Sequence, residues 1–215
     1  PIYRLINEDG SCQWIKLSVR TGEYSIRGVI TNVTDQVDRR LKMDYEHTYD
    51  VLTDLMNNRA FQERLSKLFV DKKSLGLGLM IMWNLDDLKS INDSHGHESG
   101  DGYIHSFANW LKTVSGAGPI GFSARRSGDE FFTFLYGFDS VEKRKAFLLE
   151  MSRQLQDMTD ELHSGTVVKL SASAGAARFP EDADTPTELM RCADAAMYAA
   201  KREGKGMIEL FDATR

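Results

Sequence analysis

A chain of 215 residues, 41% hydrophobic and 27% charged, is long enough for one full-sized globular domain plus a smaller piece, and it can bury a core without staples. Its net charge of -5, with acids and bases mixed along the chain, argues against a nucleic-acid binder, which concentrates basic residues in a stripe, but leaves room for a nucleotide ligand met by metal ions and backbone amides. The two cysteines, Cys12 and Cys192, lie far apart without metal-ligand spacing and point to a reducing cytoplasm.

Residues 2–6 alternate as a strand, and Asn7-Glu8-Asp9-Gly10 is a turn signal. Residues 14–19 and 24–33 read as two more strands, and 34–47 as a connecting helix with Val37, Leu41 and Tyr45 at helical spacing. Three strands close no core of their own. Residues 60–69 form an amphipathic helix through Phe61, Leu65, Leu68 and Phe69. The apolar run 75–83 marks a strand buried on both faces; it is too short to span a membrane and contains Gly76 and Gly78. A helix is expected over 101–114, a hairpin of 122–126 with 131–136, a charged helix over 141–155 and a small-residue strand over 167–177. Thr185 as N-cap, Pro186 after it and Glu188 in the capping-box place start a last helix that runs to about Glu203, before a strand at 207–211. Helices interleave with strands around a central hairpin, which predicts an α+β fold, a mixed α/β sandwich rather than a parallel sheet. No signal peptide is visible, and a start at Pro1 without methionine reads as a fragment, so that membrane helices upstream stay open.

Polar residues gather after the buried strand: Asn84, Asp86, Asp87, Lys89, Asn92, Asp93, His95, His97, Glu98 and Asp101. Strand exits in such sheets bind ligands, although a solvated loop with an aspartate N-cap explains the same composition. Asp129 and Glu130 sit at the tip of the expected hairpin. Adjacent carboxylates repel unless a cation compensates, which makes them candidate Mg²⁺ ligands; the bland reading is a polar turn. Gly128 beside them lets a phosphate approach the backbone. Lys201 and Lys205, four apart, share one helix face and offer point charges to phosphate or simply to water. The ligand set is oxygen-rich and thiol-free, which argues against zinc.

The segments DVLTDLMNNRAF (50–61), NLDDLKSINDSHGHESGD (84–101), RRSGDEFF (125–132), SASAGAARFP (171–180) and ADAAMYAAKREGK (193–205) resemble, in order and spacing, the GGDEF domain of diguanylate cyclases. More loosely, YRLINEDGSCQWIKL and GVITNVTDQVDRR resemble the closing strands and exit of a PAS sensor domain. The resemblance implies three parts: the C-terminal strands of a PAS-like domain at 1–35, a signalling helix at 36–47 and a GGDEF domain at 48–215. It also implies a mainly antiparallel central sheet flanked by helices, similar to nucleotidyl cyclase catalytic domains. In that family two GTP molecules meet across a dimer, each 3′-hydroxyl attacking the other's α-phosphate, with Mg²⁺ or Mn²⁺ holding the phosphates.

By position, Asn92 and Asp101 fall on the guanine-recognising residues and Lys89, Lys201 and Lys205 on the basic contacts. Asp129 falls on the metal-binding acid, Glu130 on its catalytic partner, and Leu85 offers its carbonyl to the metal. Asn84 stands where the family's first metal-binding aspartate belongs, which predicts weakened metal binding, with Asp86 as the nearest compensating acid and Asp87 further off. Ser127 replaces the first signature glycine, Leu88 an aromatic and Asp54 a glycine, while Gly118-Pro119-Ile120-Gly121 replaces the Arg-x-x-Asp product-inhibition motif. These departures predict a degenerate domain that binds GTP and relays a sensor signal with weak or no synthase activity; the alternative is an active cyclase. A homodimer through the sensor and connecting helix is expected, as is a phosphodiesterase domain downstream; nucleic acid is not.

Overall fold

The computed structural model describes residues 1–116, 119–162 and 165–214; Gly118 of the replaced inhibition motif lies outside the described residues. The chain divides into two compact units, Pro1–His47 and Thr48–Arg215. In the first, β1 (Ile2–Ile6), β2 (Cys12–Gly22) and β3 (Ser25–Asn32) form an antiparallel meander, followed by α1 (Thr34–Thr48). Its apolar side chains are largely exposed, Ile6 by 69% and Ile26 by 76%, as a three-stranded sheet without a second layer must leave them.

The second unit carries a six-stranded sheet in the order β11-β10-β5-β7-β6-β4, built from β4 (Met56–Asn57), β5 (Leu77–Leu85), β6 (Ile120–Ser127), β7 (Glu130–Phe138), β10 (Ala172–Phe179) and β11 (Ile208–Leu210). The three central pairings are antiparallel and the two outer ones, β10-β11 and β4-β6, parallel. This is the expected α+β fold. β5 is buried on both faces because its side chains alternate between two cores. Leu79, Ile81, Trp83 and Leu85 pack with α4 (His97–Gly116) and α5 (Val141–Asp157). Met80 and Met82 pack with α2 (Asn58–Leu68) and α6 (Pro186–Glu203).

Three polar contacts fix strand, layer and helix end in turn. Trp83 donates to Thr133 in the core at 3.1 Å. The buried Arg144 guanidinium of α5 donates to Glu181 and to the carbonyls of Gly78 and Phe179, and holds the Glu181 carboxyl below its usual range. The capping signal at α6 is real, with Thr185 accepting from the Glu188 amide at 3.3 Å.

The segment expected as one strand at 167–177 is two. β9 (Val167–Lys169) turns away to pair with β8 (Thr159–Glu161), and β10 starts after Leu170 and Ser171. The helix expected from 101 starts at His97, and a separate α3 (Leu88–His95) precedes it where only polar loop composition was legible. A 3-10 segment, Phe69–Leu75, shifts the buried strand later than expected, to 77–85. No helix among the described residues is long and apolar enough to cross a membrane.

Candidate functional site

The site is assembled at the exit of β5. Asn84, 8% exposed, stands in register with Glu130 of β7 on one side and Ser173 of β10 on the other. Period-two alternation places it on the face of Met80 and Met82, which α2 and α6 cover. The Leu85 amide donates to the Asp129 carbonyl and the Asp86 amide to the Ser171 carbonyl, both at 2.9 Å, so the exit is fastened to both neighbours.

Asp86 is not the spare metal ligand that its spacing suggested. Its carboxylate is 3% exposed and accepts from Ser171 Oγ (2.8 Å), Ser173 Oγ (2.7 Å) and the Gly206 amide (3.1 Å). A carboxylate so satisfied fixes the α6–β11 loop to the strand exit instead of facing a ligand. The two serines come from the SASAG segment, Ser171 just before β10 and Ser173 within it, and their S-x-S spacing was the signal available in the sequence. Tyr103 of α4 reinforces the same corner: its hydroxyl accepts from the Ser171 amide at 2.7 Å, and burial pushes its pKa up.

The hairpin turn is tighter than four residues. Ser127 pairs with Glu130, leaving Gly128 and Asp129 as the turn, with Gly128 at φ +52. Ser127 itself does not lie in the left-handed region, so the loss of the first signature glycine brings no backbone penalty. Glu130 opens β7 and is ion-paired with Arg126, Nη1 to Oε2 at 3.1 Å. Arg125 clamps the turn, its Nε and Nη2 donating to the Gly128 carbonyl at 3.0 and 2.8 Å while Nη1 meets Asp50 at 3.2 Å. Neither arginine was singled out from the sequence, although two guanidinium groups directly before an acidic turn are a visible signal.

Asn92 and Asp101 are brought to one corner. A Cβ on Gly100 would fall 1.9 Å from Asn92 Oδ1, so the asparagine of α3 rests on the α4 backbone one residue before Asp101, which is exposed. Lys89, exposed on α3, and Lys201, half-buried in the last turn of α6, form no ion pair among the described residues. Lys201 and Lys205 do not share a helix face: α6 ends at Glu203, and Lys205 lies beyond the Gly204 cap at φ +64. Its ammonium meets Asp87 Oδ1 at 2.9 Å, and that hydrogen bond pushes the Lys205 pKa up. An open cavity of about 620 Å³ lies beside this pair, lined by Asp87, Lys169, Ser171, Lys205 and Gly206.

The donor set for a metal ion is poor. It consists of one amide oxygen at Asn84, the Leu85 carbonyl, Asp129, and a Glu130 that already has a guanidinium partner. Among the described residues, no three acidic, histidine or cysteine side chains cluster as a metal site. Mg²⁺ demands near-ideal octahedral oxygen with charged ligands, which this arrangement does not fit well.

Known proteins give this geometry its context. The family profile described as "Diguanylate cyclase, GGDEF domain" matches residues 47–207. Diguanylate cyclase TpbB of Pseudomonas aeruginosa is 31% identical over 180 residues, 81% of this chain and 40% of that protein. The same organism's cyclic di-GMP phosphodiesterase NbdA is 31% identical over 194 residues, 89% of this chain and 24% of that protein. The chain therefore spans less than half the length of either. The solved GGDEF domain of TpbB superposes with a TM-score of 0.69 at 31% identity, covering 76% of this chain and 94% of that one.

Proposed function

Because the chain belongs to the GGDEF family of diguanylate cyclases, whose cyclases use a divalent metal, we propose that it is a degenerate member that holds GTP and relays a signal in cyclic di-GMP signalling, with weak or no synthesis. One observation carries the reading: the strand exit that should present a charged metal ligand presents Asn84, and the neighbouring acids are engaged, Asp86 by two serines and an amide, Glu130 by Arg126. Metal binding is weakened as a result, and with it the in-line attack that depends on a neutralised α-phosphate.

The guanine-binding half is intact. The Asp101 carboxylate suits the adjacent N–H donors on the guanine edge, and the Asn92 amide adds a donor and an acceptor held in place by Gly100. Lys89 and Lys201 supply charge to the phosphates, and Lys205 does so once it leaves Asp87. Residues 1–35 act in this reading as the closing strands of a PAS-like sensor, and 36–47 as the helix through which a dimer passes its state to the nucleotide domain. A phosphodiesterase domain, such as the one NbdA's name implies, is the proposed recipient.

Calorimetric titration with GTP tests the binding half. Saturable binding is expected, weakened about tenfold by Asn92→Ala or Asp101→Ala through loss of base hydrogen bonds, with no cyclic dinucleotide accumulating in the same samples. Affinity indifferent to both substitutions would remove the guanine assignment, and steady product formation would restore the active-cyclase alternative.

A further inference from the structure

Glu130 already has a cation. Arg126 Nη1 stands 3.1 Å from its Oε2, and the guanidinium carbon lies 5.8 Å from the centroid of the Phe132 ring. The two side chains are 42% and 29% exposed, so the pair faces solvent rather than the core. In register with Glu130 across the β5-β7 ladder, Asn84 is 8% exposed, uncharged and without a side-chain hydrogen bond among the described residues.

These facts pull a dication and a polyphosphate in opposite directions. A dication gains only a neutral amide oxygen from Asn84 and must compete with a guanidinium for Glu130, next to which it also suffers like-charge repulsion. A polyphosphate loses little. Glu130, one of the two turn carboxylates that would repel it, is ion-paired with Arg126, and a guanidinium carries five donor N–H groups with which to meet phosphate oxygens. Lys89 and Lys201, which form no ion pair among the described residues, are the further cations that the nucleotide-binding reading assigns to the phosphates.

We infer that this domain binds guanine nucleotide without a divalent ion, Arg126 providing the neutralisation of Glu130 that a metal would otherwise supply. The inference rests on the nucleotide-binding reading above and extends it to the ionic partner of the site. It assigns Arg126 as a positioning and charge-balancing residue.

The test is titration with GTP in excess EDTA and again in Mg²⁺, for the protein and for Arg126→Gln and Asn84→Asp. The native protein should bind in EDTA within about threefold of its Mg²⁺ affinity, because one charge-assisted pair sets the balance. Arg126→Gln should bind at least about fivefold more weakly in EDTA and recover in Mg²⁺, since Glu130 is then free to take the ion. Asn84→Asp should likewise become Mg²⁺-dependent. A native protein that binds only with Mg²⁺, or an Arg126→Gln variant that matches it in EDTA, overturns the inference and leaves nucleotide binding standing. No binding under either condition overturns both.

Discussion

Asp54 sits at φ +56, where a side chain crowds the backbone and glycine does not. The family's usual glycine after the threonine therefore has a physical reason, one that sequence alone could not supply because φ is invisible there. The Asp54 amide donates to the Asp50 carbonyl at 2.9 Å, and Asp50 also accepts from the Thr53 amide and hydroxyl and from Arg125. The strained turn is thus part of what steadies the hairpin of Gly128 and Asp129. Replacing Asp54 with glycine should raise unfolding stability in urea by about 0.5 kcal/mol, and valine should lower it by about 1–2 kcal/mol. Equal stability of the two variants would show that the turn carries no strain. The neighbouring substitution, Ser127, needs no such account, since the left-handed position in that hairpin belongs to Gly128.

Backbone meets backbone closely where α6 crosses β10. A Cβ on Gly175 would fall 2.0 Å from the Met197 amide nitrogen and 2.1 Å from the Ala193 carbonyl, both helix backbone and unable to swing aside. Gly175→Ala should therefore push α6 off the sheet and cost about 3 kcal/mol, seen as a lower denaturant midpoint. It should also weaken GTP binding, because Lys201 and the α6–β11 loop move with the helix. A midpoint unchanged by alanine would mean that the helix can translate freely. The sequence revealed this helix and its cap through Thr185, Pro186 and the stripe of Leu189, Ala193 and Met197, because a strong apolar period and a capping box coincide. It concealed α3, whose eight residues offer few apolar positions amid polar ones, and the three-residue β8, which exists only because β9 returns to pair with it. The candidate site was legible by residue type and by family resemblance. Its partnerships were not: Asp86 with two serines, Glu130 with Arg126 and Lys205 with Asp87 join positions whose contacts only the fold sets, two of them far apart in sequence.

Over the whole molecule, the second unit has two cores, one on either side of its sheet, whereas the N-terminal unit leaves most of its apolar sheet exposed. That contrast fits a proposed division between a sensor remnant and a self-sufficient output domain, and it makes the chemistry of the output domain the point on which the account turns. The deciding measurement is cyclic di-GMP formation from GTP with Mg²⁺ or Mn²⁺, comparing the protein with its Asn84→Asp variant while GTP binding is followed in the same samples. The expected result is a native protein that binds GTP and is silent, and a variant whose product rises about tenfold or more above it as a charged oxygen returns to the strand exit. Steady turnover by the native protein, equal to that of the variant, would contradict it.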